Sequence, residues 1–293
     1  MNTFEHLEQM RLKARNGAIV GVVLIVAGFL SFMLAPLLGF GLVIGGIITF
    51  GVLESRFTKP YKRAYKEQLV KGILSEKIDD LRFSPYDGID KEIVKSTDMM
   101  SLGNIYQVND LIEGSYNGVR FSQSDILIQQ RTSNGKQTTT TTYLRGRWMI
   151  FDFNKKFQCD LQVRDRHFAY AKKSGGWFSD RDKTEKLETE SVEFNRTFKV
   201  YAENDSEAFY ILTPHFMEAL MKVKTQTDGE VLFCFVDRKL HVAVNNKADS
   251  FEPPVWTPID RETARRAVES DMRLITDLVD TLKLDNRLFM DGN

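Results

Sequence analysis

An uncharged apolar run near the N-terminus limits what this chain can fold into. Residues Ala18–Leu53 form about 36 consecutive positions without Asp, Glu, Lys, Arg or His. One straight helix of that length would be about 54 Å long, whereas the hydrocarbon core of a bilayer is about 30 Å thick. Two helices, Ala18–Ala35 and Leu37–Leu53, fit better, with Pro36 at the turn between them. The sequence therefore predicts a transmembrane helical hairpin.

Basic residues flank this run on both sides, and the predicted turn carries no charge. Lys and Arg are enriched in the cytoplasmic segments beside membrane spans. We therefore expect a multi-pass protein of the cell inner membrane with both termini and the soluble domain in the cytoplasm. The basic residues after the second span are also candidates for contact with lipid headgroups: Arg56, Lys59, Lys62, Arg63 and Lys66.

A signal peptide and a single membrane span both agree less well with the apolar run. A cleaved signal peptide has an apolar region of about 7–15 residues, which is much shorter than this run. A single tilted span would place residues 54–293 outside the cell, and five basic residues would have to cross the membrane. We therefore divide the chain into a cytosolic segment 1–17, a transmembrane hairpin 18–53, a helical connector 54–104 and a cytosolic α+β domain 105–293.

The charge balance and the cysteines exclude several classes of ligand. Lys plus Arg number 40 and Asp plus Glu number 40, so the chain has no basic excess and we expect no nucleic-acid partner. Cys159 and Cys234 lie in apolar, strand-like contexts without a second ligand at metal-binding spacing. We interpret both as buried thiols, and we expect neither a bound metal nor a cofactor.

Small residues in the two spans predict how the helices pack. Gly17 and Gly21 are four residues apart in the first helix, and Gly41 and Gly45 are four residues apart in the second. Small residues at this spacing let helix backbones approach closely. We expect these faces to pack against each other within the hairpin or, alternatively, against neighbouring copies of the chain. Glycine is also common in membrane helices, so the spacing leaves both arrangements open.

The segment after the second span has a helical period. From Pro60 to about Asp80, apolar residues recur every three or four positions, with Lys and Arg on the other face. This pattern predicts a helix whose basic face contacts either anionic headgroups or solvent. Further along, Trp177 and Phe178 lie at the tip of a predicted polar loop. These two aromatic side chains would either enter the membrane interface or fold back on the domain.

From about Ile105 the hydrophobic period changes to two, which indicates strands. Asn117-Gly118 and Asn134-Gly135 predict two hairpins, and the threonine run Thr138–Thr142 predicts an exposed strand of the second. The later pattern predicts a strand over Val192–Tyr201, a helix from Thr213-Pro214, a hairpin over 230–245 and a last helix from Thr257. The predicted class is α+β: an N-terminal two-helix transmembrane hairpin followed by a cytosolic, mainly antiparallel sheet domain with flanking helices.

Several segments resemble those of a known family. They are Asp110–Gly114, Leu144–Trp148, Phe151–Phe157, Glu193–Tyr201, Glu207–Ala208 and Leu212–Met217. Together with the two-span N-terminus, these segments resemble the bacterial membrane-protein family known as domain of unknown function thirty-one thirty-seven. The resemblance extends over nearly the whole chain and implies a bacterial inner-membrane protein. It supplies no activity that can be assigned to a residue.

No short motif in the sequence indicates catalysis. The chain contains no HExxH, GxSxG, GxxxxGK[ST] or GxGxxG pattern. The first hypothesis is therefore a membrane-tethered cytosolic binding or sensing module that engages the lipid bilayer, a protein partner or a second copy of itself, rather than an enzyme. The alternative is a membrane-bound hydrolase whose site combines distant residues: Asp165, His167, His215 and His241. Convergence of a histidine with a second catalytic group in a concave pocket would favour the hydrolase.

Overall fold

The computed structural model of the chain describes residues 3–32, 35–152, 160–171 and 185–284. The chain divides into two compact units. We name the first the hairpin unit, Met1–Glu76 with Phe251–Ser270, and the second the sheet unit, Lys77–Ser250 with Asp271–Asn293. The chain therefore leaves the sheet unit after Ser250 and returns to it at Asp271.

Two helices form the apolar part of the hairpin unit. Helix α1 spans Thr3–Phe32 and helix α2 spans Pro36–Leu53. Pro36 lies in the first turn of α2, where its missing N–H removes no helical hydrogen bond. Both helices are long and apolar enough to cross a membrane, and their most apolar windows are only 17% and 11% buried. The core helix of a soluble protein would be mostly buried, so this exposed apolar surface agrees with a membrane anchor.

Helix α1 begins well before the predicted start at Ala18. The stretch between Thr3 and Ala18 has no proline and is rich in Glu, Leu, Met, Lys and Arg, which are good helix formers. The apolar run marks the part of the helix with membrane character. Helix propensity and the absence of a breaker set where the helix itself begins.

The predicted connector helix is present but ends earlier than expected. After α2 the helical backbone continues through a π-helical turn at Glu54–Thr58, helix α3 at Lys59–Tyr65, a second π-helical turn at Lys66–Val70 and helix α4 at Lys71–Leu74. The first π-helical turn comes shortly before Pro60, which has no N–H to donate. The predicted end at Asp80 is wrong, because Asp79–Ser84 forms strand β1 and pairs in the sheet.

The sheet unit combines a nine-stranded sheet with mostly short helices. Its described strands are β1, β2 Ile105–Tyr116, β3 Val119–Ser133, β4 Thr138–Asp152, β5 Leu161–Asp165, β6 Glu185–Leu187, β7 Phe198–Ala202, β8 Glu230–Val236 and β9 Lys239–Asn245. Its described helices are α5 Lys91–Ser96, α6 Val192–Thr197, α7 Asp205–Ile211, α8 Pro214–Gln226 and the second half of α9 Arg261–Leu282.

The strands of the sheet follow the order β1-β2-β3-β4-β9-β8-β5-β7-β6. All described pairs are antiparallel. Asn117 and Gly118 form the β2–β3 turn with φ of 50° and 77°, as a tight two-residue hairpin requires. Asn134-Gly135 lies in the β3–β4 connection, and Thr138–Thr142 is a largely exposed strand segment. The predicted α+β class with a mainly antiparallel sheet is confirmed.

Apolar side chains cover both faces of the sheet. On one face, the fully buried Trp148 lies in a cluster formed by β3, β4, β8, β9 and the α5 segment. On the other face, Phe216 of α8 contacts Phe235 with ring centroids 5.8 Å apart, and Phe194 of α6 contacts Phe198 at 5.1 Å. Full burial of one such side chain contributes about 1.5–3 kcal/mol, so these layers account for much of the unit's stability.

The predicted strand over Val192–Tyr201 is only half correct. Residues Val192–Thr197 form helix α6, and the strand begins at Phe198. Ser191 accepts a hydrogen bond from the Phe194 N–H at 3.3 Å and so caps this helix. Alternating apolar residues in so short a segment match either a strand or a helical turn, and the cap decides between them.

The last helix begins at Arg261, four residues after the predicted start at Thr257. Asp260 is the capping residue, because its Oδ1 accepts hydrogen bonds from the N–H groups of Glu262 at 3.0 Å and Thr263 at 2.9 Å. The Thr257-Pro258 pair does not start this helix. The segment before Asp260 instead forms hydrogen bonds with Tyr61 and with Arg11 and Glu8 of α1.

Candidate functional site

A charged cleft opens at one end of the sheet, where the β2–β3 turn lies. Its volume is about 370 Å³, within the range of about 300–1,000 Å³ that is typical of ligand pockets. Phe121 contributes an apolar side chain to the lining. The charged residues that line the cleft are Arg82, Arg120, Lys239, Asp80, Glu113 and Asp152.

Cross-strand pairing places four of these charges opposite one another. Arg82 on β1 is in register with Glu113 on β2, and their side chains form an ion pair at 3.0 Å. Lys239 on β9 is in register with Asp152 on β4, and these side chains are 3.3 Å apart. Opposite charges at facing positions contribute about 0.2–1 kcal/mol per pair to a sheet.

Two further charges in the cleft are not neutralised in this way. Arg120 and Asp80 are exposed, and neither forms an ion pair with a residue in the described ranges. The cleft therefore offers one free cation and one free anion beside two internal pairs, as far as the described residues show. Its described lining includes neither histidine nor cysteine. The predicted His–carboxylate site is not located here.

His241 lies on the buried Trp148 face of the sheet. Its side chain is 2% exposed, and its Nδ1 accepts a hydrogen bond from Trp148 Nε1 at 3.3 Å. Burial lowers the pKa of His241 to about 4, and the charge of Lys239 acts in the same direction. The imidazole is therefore neutral near pH 7 and inaccessible to a substrate from solution.

The other residues of the hydrolase alternative do not assemble around a substrate site. His167 and His215 are exposed, and no described residue forms a hydrogen bond with either imidazole. Asp165 is buried, accepts a hydrogen bond from the backbone N–H of His167 at 2.9 Å and pairs with Lys224 at 2.7 Å. Asp165 thus stabilises a turn and an ion pair, and it does not orient a histidine ring.

Two buried polar residues bind Ser250 and Asp271, the residues at which the chain leaves and re-enters the sheet unit. Asp125 on β3 and Arg147 on β4 face each other in register. Asp125 accepts hydrogen bonds from the N–H of Ser250 and from its hydroxyl, the latter at 2.8 Å. Arg147 donates to the backbone carbonyl of Asp271 and to its Oδ1, the latter at 2.9 Å.

Burial dominates the electrostatics of this pair. It raises the pKa of Asp125 to about 7, although the hydrogen bonds from Ser250 and the charge of Arg147 oppose the shift. Gln123, two residues earlier on the same strand, is fully buried, and its amide has no hydrogen-bond partner among the described residues. Sequence reasoning missed these residues. The sequence feature that could have revealed them is the run of polar side chains in the otherwise apolar strand β3.

In the hairpin unit, Gly17 and Gly21 lie where α1 meets α2. A Cβ at Gly17 would be 3.3 Å from the Cβ of Leu53, and a Cβ at Gly21 would be 2.7 Å from the ring of Phe50. These positions therefore allow the two helices to approach closely.

The α2 residues at this interface differ from those predicted. A Cβ at Gly41 or at Gly45 would meet no heavy atom within 4 Å, so both residues lie outside the contact between the helices. Gly39 and Gly46 are the residues that allow close approach, with Phe32 and Ile25 of α1 within 3 Å of their Cβ positions. The expectation that Gly41 and Gly45 seal the hairpin is wrong, because a four-residue spacing does not specify which face is rotated toward the partner.

The five predicted headgroup-binding cations differ from one another in their surroundings. Lys62 and Lys66 both bind Glu252, at 2.6 and 2.9 Å, and Lys66 is buried. Burial alone would raise the pKa of Glu252, but the hydrogen bonds from the two lysines outweigh it and hold the pKa below its ordinary value. Arg63 pairs with Glu67. The other two predicted cations, Arg56 and Lys59, are exposed.

Three residues that the sequence singled out lie outside the described ranges: Trp177, Phe178 and Cys159. Their predicted roles remain predictions. The other cysteine, Cys234, is a fully buried thiol in the Trp148 cluster.

Comparisons with known proteins add a family match. The profile of a family described as "Protein of unknown function (DUF3137)" matches residues 142–284, which confirms the predicted family resemblance over that part of the chain. A search of curated proteins finds no match. Among solved structures, the crystal structure of the mycobacterial trehalose monomycolate transport factor A, TtfA, has 10% sequence identity and a TM-score of 0.38, over 76% of this chain and 96% of that chain.

Proposed function

We propose that this chain is an inner-membrane-anchored module whose cytoplasmic sheet unit binds a charged segment of a protein partner. The exposed apolar surfaces of α1 and α2 support the anchor. The basic residues on both sides of the apolar run, such as Arg15 before it and Arg56 after it, support a cytoplasmic position for the rest of the chain.

The charged cleft is the observation that carries the binding proposal. It has the size of a ligand site, and its lining carries three basic and three acidic side chains. Arg120 and Asp80 have no ion-pair partner within the described ranges, so an incoming segment with both signs of charge can pair with them. Complementary charges of this kind favour specificity and fast association, and the resulting affinity falls as salt increases.

The hydrolase alternative has less support. Hydrolysis requires a general base held close to a nucleophile or a water, and none of the three histidines is held in this way within the described part of the chain. The full chain in detergent should therefore show no turnover of generic ester, phosphate or peptide substrates. Turnover that His167→Ala or His215→Ala abolishes without loss of folding would replace the binding proposal with the hydrolase.

The binding proposal can be tested by photo-crosslinking in membranes. A photoreactive residue in place of Ser122, inside the cleft, should crosslink the full chain to a second protein. The matched control carries the same residue in place of Lys136, which is exposed in the β3–β4 connection. Added salt and the substitution Arg120→Glu should both reduce crosslinking at position 122. Equal crosslinking at the two positions, or no effect of Arg120→Glu, would contradict the proposal.

The orientation requires a separate test. Reporter domains fused at Asn16 and at Asn293 should both be active in the cytoplasm. Periplasmic activity of both fusions would contradict the proposed topology and would place the cleft on the other side of the membrane.

A further inference from the structure

The segment Glu252–Ile259, here named the collar loop, is bound to α1 and to the connector helix of the hairpin unit. Its first residue accepts hydrogen bonds from the ammonium groups of Lys62 at 2.6 Å and Lys66 at 2.9 Å. Its last residue donates its N–H to Glu8 of α1 at 3.1 Å. The loop therefore runs from the connector helix to α1.

The middle of the collar loop is the part nearest to the apolar spans. The carbonyl of Pro254 accepts a hydrogen bond from the Tyr61 hydroxyl at 2.6 Å, and the carbonyl of Val255 accepts one from Arg11 at 2.8 Å. Arg11 lies seven residues before the uncharged run and Tyr61 eight residues after it, or about 10–12 Å along a helix in each case. The residues that bind the two ends of the loop lie farther from the uncharged run, at about 13–20 Å along the helices.

Trp256 follows directly after this apex and is 62% exposed. The headgroup layer on each side of a bilayer is about 5–8 Å thick. The backbone at the apex is thus within about one side-chain length of the headgroups. Tryptophan is favoured at this depth, because its ring is largely apolar and its N–H is a hydrogen-bond donor.

Exposed cations lie at the same level or closer to the span. Lys13 is five residues before the uncharged run, and Arg56 and Lys59 are three and six residues after it. All three side chains are exposed. Glu54 adds one negative charge, so the balance of these four residues is positive. Cations in this position attract anionic lipids.

We propose that the collar loop docks Trp256 onto anionic headgroups of the bilayer that the hairpin crosses, together with Lys13, Arg56 and Lys59. This proposal rests on the membrane anchor proposed above, and it adds a lipid surface as a partner of the hairpin unit. Glu252 forms ion pairs with Lys62 and Lys66, which lie farther from the span. Lys13, Arg56 and Lys59, which lie closer to the span, bind the lipid headgroups.

Tryptophan quenching in nanodiscs tests this proposal. The full chain is reconstituted with phosphatidylcholine lipids brominated near the headgroup, with or without phosphatidylglycerol. Quenching should be lost in Trp256→Phe, be retained in Trp177→Phe and increase with phosphatidylglycerol. The buried Trp148 is the same in all samples. Lys13→Gln combined with Lys59→Gln should remove the increase caused by phosphatidylglycerol, whereas the control Lys71→Gln, an exposed lysine farther along the connector, should not.

Each outcome of this experiment decides a different point. Insertion of the chain without quenching that depends on Trp256, or quenching lost in Trp177→Phe instead, would overturn the collar-loop proposal and leave the anchor intact. Failure of the wild-type chain to insert into the nanodisc would overturn the anchor and this proposal together. Circular dichroism of each variant controls for loss of folding.

Discussion

The hairpin unit and the sheet unit expose their large apolar side chains to very different degrees. In the hairpin unit, Leu37 is 91% exposed and Phe29 is 66% exposed, whereas Trp148 and Phe233 in the sheet unit are fully buried. The sheet unit folds by removing apolar surface from water. The hairpin helices keep their apolar surface outside and approach each other through glycine. The sheet unit is thus adapted to water and packs by burying large apolar side chains. The hairpin helices are adapted to an apolar surrounding and pack through small residues.

The two units also shift the pKa of a carboxyl group in opposite directions. In the sheet unit, burial raises the pKa of Asp125 despite its hydrogen bonds with Ser250. In the hairpin unit, burial would raise the pKa of Glu252, but two lysines together hold it below its ordinary value. The contributions of these two carboxyl groups to stability should therefore change with pH in opposite directions.

Truncation of one large apolar side chain in each unit should give the largest contrast. Trp148→Ala leaves a cavity in a closely packed core, so the free energy of unfolding should fall by about 3–5 kcal/mol. Leu37→Ala changes an exposed side chain and should alter stability by about 0.5 kcal/mol or less. Chemical denaturation of the full chain in detergent micelles measures both effects. Similar losses for the two variants would contradict the two-solvent interpretation.

The pH dependence that Asp125 contributes to the sheet unit should be the next largest effect. The pKa of Asp125 rises from 3.8 to about 7 on folding, so between these values the folded state binds more protons than the unfolded state. The stability from this group is complete below about pH 4 and is lost as the pH rises toward 7, by about 2–4 kcal/mol.

Denaturation midpoints of the wild type and Asp125→Asn across this pH range check the prediction. The variant has no carboxyl group to titrate, so the stability difference between the two proteins should change with pH in the stated direction. The exposed Asp249, which pairs with Arg145, is the control, since Asp249→Asn should leave the trend in place. A constant difference between wild type and Asp125→Asn would show that this carboxyl group does not titrate there.

Two adjacent glycines of α2 give a matched test of helix packing. A Cβ at Gly46 would lie 2.8 Å from Cγ1 of Ile25 and 3.0 Å from its backbone N, whereas a Cβ at Gly45 meets nothing within 4 Å. Gly46→Ala should weaken the α1–α2 contact by about 1–3 kcal/mol, and Gly45→Ala should change it by about 0.5 kcal/mol or less. Unfolding in mixed detergent micelles measures the difference. A larger effect of Gly45→Ala, with loss of an oligomer, would support packing between copies instead.

The smallest expected effect concerns the ion pairs of the collar loop. Glu252→Gln should lower stability by about 1 kcal/mol or less at neutral pH, because these pairs are partly solvated. The folded pKa of Glu252 is lowered, so its contribution is present above the unfolded value and is lost as the pH falls through the folded one. Hydrogen exchange of the Ile259 amide reports this local change. Glu67→Gln, which removes only an exposed helix pair, should not increase exchange there.

Several features of the fold could be predicted from the sequence because they depend on local chemistry. Bilayer thickness sets the length of a span, so the uncharged run Ala18–Leu53 specifies a hairpin. The Asn117-Gly118 dipeptide favours the positive φ angles of a tight turn, so it specifies a hairpin of the sheet. The family resemblance could also be recognised from short apolar and aromatic segments.

Only the tertiary structure decided which residues act together. Gly45 and Gly46 are neighbours in the sequence, yet the rotation of α2 against α1 gives them different surroundings. The charged cleft combines residues from β1, β2, β3, β4 and β9, and the bond from Arg11 to Val255 joins positions 244 residues apart. Local sequence patterns specify the secondary-structure elements and which of their faces are apolar. Helix rotation, strand order and register, which are set by packing across the whole chain, specify the contacts between them.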